Sequence, residues 1–459
     1  MRRTPATLLL AAALAIAACA GPQPADLAET ITLDGFAAQI EPSRVVGGSA
    51  GNLECVDPAF PAAPWQLPVV EHVGRVGGAD YVLFAPAHWN GELVLFAHGY
   101  VAPSYPDGAF PFDVPIGIQP GAGVPADVVA LRDLMLCQGY ALAASSYRTH
   151  GYAVEDGVRD THLLNAVVRR HLGGPPARTY VLGQSMGGLI AVALAERFPA
   201  TYDGALAFCG PIAGSPMQLD YVGHVRVLTH VFLPQLFDGA HPFATPAISH
   251  EAYVSAFLPR LETLLGQPAQ ASALLSLASV RLPCGMPILP LDPAVDLADV
   301  GAVVESLATS LASALYYYAV GVEDVLARGG GGIAFDNTAT VYTFVDPATG
   351  IDASDGLNAA VLRISGDPQA MRYWDRHYQP SGDLQVPLVA LHTTHDPDVP
   401  YPHVLVYEHL LAGPAGAADW LRVDTVEAYG HCNFSVPDLA GAFGALRARV
   451  ETGWWPPVE

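Results

Sequence analysis

Apolar residues along this chain fall into two alternating periods from about residue 68 onward. Short, nearly unbroken apolar runs at Val69 to Val73, Tyr81 to Ala85, Glu92 to Ala97 and Tyr140 to Ser145 read as strands. The turn-like Pro86-Ala87-His88-Trp89-Asn90-Gly91 separates the second from the third. Between and after them, Ala126 to Gln138 and Val154 to Leu172 place apolar residues at helical spacing. The series continues as a strand at Tyr180 to Leu182, a helix at Gly188 to Phe198 and a strand at Gly204 to Phe208. Strand and helix in alternation, with apolar strands, predict a mostly parallel sheet covered by helices on both faces.

The alternation stops near residue 211. Residues 211–384 mix helical patterns with proline clusters, the tetraglycine Gly329 to Gly332 and aromatic groups such as Tyr316-Tyr317-Tyr318 and Tyr373-Trp374. So long a stretch is not a loop inside a compact domain, and it predicts a folded, mainly helical cap inserted between the sixth and seventh strands. After it come a strand at Pro387 to His392, a helix at His403 to Leu411, a strand at Leu421 to Glu427 and a helix at Leu439 to Val450. The expected division is a first core segment at 46–210, the cap at 211–384 and a second core segment at 385–459.

The N-terminus has another character. Met1-Arg2-Arg3 precedes an apolar run from Leu8 to Ala18, about 12 residues where a membrane-spanning helix needs ~20. This is the layout of a secretory signal. Its ending, Ile16-Ala17-Ala18-Cys19, resembles a bacterial lipobox, which implies a signal peptide at 1–18, a lipidated Cys19 and a tether at 19–45. A plain signal peptide is the alternative. Either way the protein is expected to be exported, periplasmic or extracellular, and to meet a membrane only through an anchor at Cys19. No second hydrophobic span stands out.

Charge narrows the partners. The formal net charge of −23 comes from 44 acidic against 21 basic residues, all of them Arg, which excludes nucleic acid as an expected partner. Besides Cys19 the chain has Cys55, Cys137, Cys209, Cys284 and Cys432, an odd set without a Cys-x-x-Cys pair, so no zinc or redox site is expected. The preferred pairing is Cys55 with Cys137 and Cys209 with Cys284, leaving Cys432 free as a packing residue.

Candidate chemistry centres on Gly183-Gln184-Ser185-Met186-Gly187, where a strand pattern passes at once into a helical one. A serine on such a turn is lifted clear of the sheet, and the helix N-terminus behind it offers N–H groups to a developing oxyanion. A serine hydroxyl is a weak nucleophile, so it needs an imidazole to take its proton and a carboxylate to hold that imidazole. Two later strands end in segments that supply them, Thr393-Thr394-His395-Asp396-Pro397-Asp398-Val399-Pro400 and Ala428-Tyr429-Gly430-His431. Both stand beyond the carboxyl end of a strand, the edge at which open α/β sheets meet ligands. Asp396 is the preferred acid, Asp398 its alternative, and His431 the base. His392, His395 and His403 read as structural or exposed.

The order Ser185, Asp396, His431 resembles the α/β-hydrolase superfamily, over roughly 68–210 and 384–452. Asp396-Pro397-x-Val399-Pro400 resembles its acid loop, and Gly430-His431-Cys432-x-Phe434 the histidine loop of exported bacterial serine hydrolases. His98-Gly99-Tyr100 resembles the family's His-Gly motif. That resemblance implies an oxyanion hole built from the N–H groups of Met186 and Tyr100, with Gly99 as the alternative to Tyr100, and a loop-shaping role for His98. The implied activity is hydrolysis of a small-molecule or polymeric carboxylic ester through an acyl-enzyme, with no cofactor and no metal. Two rivals stand beside it. An aminopeptidase-like enzyme on the same fold would need a cap carboxylate such as Asp375 or Glu305 to hold a peptide's amino group. An inert surface lipoprotein would only bind a ligand.

Overall fold

The computed structural model describes residues 29–41, 43–45, 52–55, 64–104, 128–237, 241–244, 246–413 and 417–457. The expected signal segment at 1–18 and the expected anchor at Cys19 lie outside the described residues. Twelve strands are β1 Glu29–Leu33, β2 Phe36–Ile40, β3 Arg44–Val45, β4 Asn52–Cys55, β5 Trp65–Val76, β6 Ala79–Pro86, β7 Glu92–Ala97, β8 Ala141–Ser145, β9 Arg178–Gln184, β10 Gly204–Phe208, β11 Leu388–His395 and β12 Leu421–Tyr429. Ten of them follow the order β1-β2-β5-β6-β8-β7-β9-β10-β11-β12, and β3 and β4 pair with β5. From β8 to β12 every neighbour is parallel. From β1 to β8 every neighbour is antiparallel.

Burial follows this division. β8 and β10 are buried at every residue, as strands covered on both faces must be, whereas β5 alternates buried with exposed positions along its first half. The sheet therefore continues beyond the parallel series expected from the apolar runs. Residues 29–40, placed in the tether by their position, instead form the hairpin β1–β2 at the sheet's edge. Asp34 and Gly35 both take positive φ, 45° and 88°, which makes the two-residue turn that matches strand twist. Its alternating Ile31, Leu33, Phe36, Ala38 and Ile40 carry a strand signal that the Ala- and Pro-rich composition around them obscured.

Helices α1 Val128–Cys137, α2 Val154–His171 and α3 Met186–Arg197 belong to the first core segment. The insertion supplies α4 Ser215–Phe232, α5 Leu258–Leu265, α6 Pro268–Ser279, α7 Val300–Arg328, α8 Ser354–Ala360 and α9 Pro368–Arg376, and α10 Pro402–Leu411 and α11 Val436–Thr452 follow it. Alternate residues of β7 face opposite layers. Leu93, Leu95 and Ala97 pack with α2 and α3, while Val94 and Phe96 pack with α1 and α11. A third core lies within the insertion, where Tyr221, Val225 and Leu228 of α4 meet Leu274 and Leu277 of α6 and Leu311 and Leu315 of α7. The segment between β10 and β11 therefore packs around its own apolar centre. By length and composition α7 is apolar enough to cross a membrane, contrary to the expectation of no second span. Half of its most apolar stretch is buried, and it packs on α4 and α6 as the insertion's central helix.

The chain's return to the sheet is fastened by one buried carboxylate. Glu196, near the end of α3, accepts hydrogen bonds from the hydroxyls of Tyr378, Ser381 and Tyr407 and from the backbone N–H groups of Ser381 and Gly382, at 2.7 to 3.1 Å. Those donors come from the segment entering β11 and from α10. Removing the carboxylate leaves buried donors without an acceptor. Glu196→Ala is expected to lower the unfolding free energy by about 3 kcal/mol in urea titration, and a loss under ~1 kcal/mol would contradict this anchor.

Candidate active site

Ser185 is the single residue between β9 and α3, held at φ 53° and ψ −124°. Its N–H donates to the Phe208 carbonyl at 3.0 Å and its own carbonyl accepts from Gly188 N–H at 2.7 Å, so the turn is closed from both sides. A Cβ at Gly183 would fall inside the Gly187 carbonyl, and one at Gly187 inside the Ala97 carbonyl. Both glycines are therefore demanded by the approach of α3 to β9 and β7. Gly99 follows β7 and lies directly against the serine, since a Cβ there would be 3.1 Å from Ser185 Cβ and 3.7 Å from its Oγ.

The three residues picked from strand ends meet. His431 Nδ1–H donates to Asp396 Oδ2 at 2.7 Å, which leaves Nε2 to accept from Ser185 Oγ at 2.8 Å. The other Asp396 oxygen accepts from the backbone N–H groups of Asp398 and Val399 at 2.8 and 3.0 Å, so the carboxylate is fixed in the loop that carries it. Thr393 Oγ1 donates to the Gly430 carbonyl at 2.8 Å and Gly430 N–H to the His395 carbonyl at 3.1 Å, which ties the acid loop to the histidine loop. All three side chains are buried, with Asp396 1% and Ser185 and His431 8% exposed.

Burial alone would lower the affinity of His431 for a proton. The Asp396 carboxylate, joined by Asp398, outweighs it and lifts the imidazole to about 8. Burial pushes the Asp398 carboxyl up to about 7 against the pull of His431. The other histidines behave as expected. His98 stacks on Tyr147 at 3.8 Å, donates Nδ1–H to the Gly99 carbonyl at 2.7 Å, and is held by burial down to about 4, a neutral group shaping its loop. His403, pushed by burial to about 3, accepts from Ala213 N–H and donates to Gln218. His392 is buried and donates to the Thr393 carbonyl, whereas His395 is half-buried beside Thr394.

Reading by residue type missed what the insertion adds. Gln218 and Tyr221 of α4 donate to the carbonyls of Asp398 and Pro397 at 2.7 and 2.8 Å. On α7, Ser313 donates to the Asp398 carboxylate and Ser310 meets the Tyr429 hydroxyl at 2.7 Å. Ser306, Ser310, Ser313 and Tyr317 lie at the spacing of one helix face, a polar stripe on an apolar helix that could have been found in the sequence.

A cavity of about 810 Å³, mouth included, opens above Ser185. Its floor is Ser185, Met186, Tyr100, Tyr152, Pro211 and Val399; its walls are Leu219, Val222 and Gly223 of α4, Tyr317, Tyr318, Gly321 and Val322 of α7, and Phe243, Ile333 and Phe335. Among the described residues no charged side chain lines it. Asp375 and Glu305, the carboxylates considered for a peptide's amino group, are exposed and lie outside the lining.

Residues 138–263 match the protein family described as Serine aminopeptidase, S33 (Hydrolase_4). An o-phthalyl amidase of Xanthobacter agilis is 33% identical over 98 residues, so the match spans 21% of this chain and 21% of that relative. Feruloyl esterase B of Aspergillus oryzae is a structural neighbour with TM-score 0.48 and 14% identity, covering 93% of this chain and 89% of that one. The cell-wall-degrading esterase LipA of Xanthomonas oryzae follows with TM-score 0.40 and 12% identity, covering 90% and 97%. Likenesses this low carry nothing about the bond cleaved. The mostly parallel sheet with its strand–turn–helix elbow has the α/β-hydrolase fold, and the family match falls on the segment that carries Ser185.

One expectation is corrected. Cys55 pairs with Cys137 as expected, but Cys209 pairs with Cys432 and not with Cys284, so Cys432 is neither free nor a mere packing residue. Cys209 directly follows β10 and Cys432 lies in the loop after β12, strands that flank β11. Parallel strands bring their carboxyl ends together, and the two Cα atoms lie 5.1 Å apart across a sequence separation of 223. The Cys284 side chain lies outside what is described. Peptide mapping without reduction is expected to yield a Cys209–Cys432 cross-link; a Cys209–Cys284 cross-link would overturn this pairing.

Proposed function

We propose that this protein hydrolyses carboxylic esters bearing an apolar acyl or alcohol group, through an acyl-enzyme on Ser185. The carrying observation is the hydrogen-bonded chain Ser185–His431–Asp396 at 2.8 and 2.7 Å, opening on a cavity whose lining among the described residues carries no charge. In this reading Ser185 Oγ attacks the ester carbonyl as its proton passes to His431 Nε2, and the imidazolium returns that proton to the leaving alkoxide. Water then repeats the sequence on the acyl-enzyme. Asp396 keeps Nδ1 protonated and Nε2 free to accept. The N–H of Met186, first in α3, and that of Tyr100 or Gly99 hold the oxyanion.

The amide reading has its own support in the short match to an amidase. An aminopeptidase specificity is less well served, because no carboxylate for a peptide's amino group lines the cavity among the described residues. Export and lipid anchoring at Cys19 belong to the same proposal. The two disulfides among the described residues favour an oxidising compartment.

Ser185→Ala is expected to cut hydrolysis of p-nitrophenyl butyrate by about 10⁴-fold or more with an unchanged circular dichroism spectrum. Retained turnover would reject Ser185 as nucleophile. Native activity on that ester is expected to exceed activity on aminoacyl p-nitroanilides, and the reverse order would favour the peptidase. Because His431 must be neutral to accept a proton and the Asp396 carboxylate, outweighing burial, raises it to about 8, kcat/KM should rise as pH increases and level off above about pH 8. A flat profile from pH 5 to 8 would contradict the assigned base.

A further inference from the structure

A second carboxylate stands beside the histidine. One oxygen of Asp398, one of Asp396 and a ring nitrogen of His431 all lie within 4.8 Å of one another. Asp398 is fully buried, and Asp396 already occupies the Nδ1 proton of His431. Asp398 therefore does not hold the imidazole by a hydrogen bond. What it can supply is charge, at a distance where water does not screen it.

We propose that Asp398 is a positioning and electrostatic partner of the triad, stabilising the His431 imidazolium through space while α7 of the insertion holds it in place. This rests on the serine-hydrolase reading above. A buried carboxylate without a counter-charge costs several kcal/mol, so its retention calls for a partner. His431 is the group that becomes positive there when Ser185 gives up its proton. Among the described residues the other titratable groups facing the pair are neutral. From β11 comes His392, kept uncharged by burial; from α4, Tyr221; from the helical turn at Tyr253–Phe257, Tyr253; from β12, Tyr429. From α7 come Ser313, which donates to Asp398 Oδ1, and Tyr317, whose hydroxyl stands beside it. Both α7 groups favour the ionised carboxylate.

The insertion thereby reaches the chemistry as well as the substrate. Ser306, Ser310, Ser313 and Tyr317 present one face of α7 to the acid loop and, through Tyr429, to the strand leading into the histidine loop. Tyr317 lines the cavity on the same helix. The helix that shapes the acyl site is also the helix that holds the second charge.

The test is an NMR titration of the His431 ring in ¹⁵N-histidine-labelled full-length protein, comparing native, Asp398→Asn and Ser313→Ala. Removing the negative charge makes the imidazolium less favourable. Asp398→Asn is expected to move the His431 midpoint down by about one pH unit, with the acidic limb of kcat/KM following it. Ser313→Ala should move both the same way by less, because Asp398 then keeps its own proton to higher pH. An Asp398→Asn midpoint equal to native overturns the proposal, whatever happens to the rate. If Asp398→Asn does not fold, Ser313→Ala decides: a lowered midpoint supports the assignment and an unchanged one rejects it. A native protein that titrates as expected but cleaves no ester would leave Asp398 assigned and reject the proposed function.

Discussion

Helix α3 lies against β9 and β7 at a distance that no side chain permits, and the site is built outward from that contact. Gly183 and Gly187 let the backbone turn within one residue, which forces Ser185 into the left-handed region and its Oγ out beyond the sheet's edge. The same approach seats Gly99 against the serine and makes Met186, directly after it, the first residue of α3. The partners then need only to be delivered to that edge. Parallel strands do this without further instruction, because β11 and β12 run beside β10 in the same direction and release Asp396 and His431 at the same end.

Delivery alone does not fix geometry, and the structure adds three restraints. The acid is gripped by its own loop's N–H groups, the two loops are joined through Thr393 and Gly430, and the residue after His431 is bonded covalently to the end of β10. A fourth restraint comes from outside the sheet. α4 and α7 touch the acid loop through Gln218, Tyr221 and Ser313, so the insertion is joined to the loop that carries Asp396 as well as lining the cavity beside Ser185. Its own apolar core keeps those helices in register, while Glu196 fastens the chain where it leaves the insertion for β11.

The sequence made the local parts of this arrangement legible. An elbow is a contiguous turn with two obligatory glycines, and strand-end carboxylate and histidine residues follow from strand direction, so Ser185, Asp396 and His431 could be named before the fold was known. What stayed hidden depends on contacts between distant segments. Cys209 and Cys432 are neighbours only because β11 lies between their strands, a pairing no spacing rule contains. Asp398 could be weighed only as a competitor of Asp396, since a carboxylate's burial beside a histidine has no sequence signature. Two signals were present but outvoted. The Asp34-Gly35 hairpin sat in a segment whose composition suggested a tether, and the serine stripe of α7 sat on a helix whose apolar character drew attention first.

The proposed hydrolysis requires Ser185 to be an activated nucleophile in the folded protein. A fluorophosphonate probe reacts with a serine whose hydroxyl is deprotonated by its neighbour during attack, and mass mapping of the modified peptide locates the adduct. The account predicts a single adduct on Ser185 that disappears when His431 is replaced by alanine. An unmodified Ser185, or an adduct on another residue of the native protein, would contradict it.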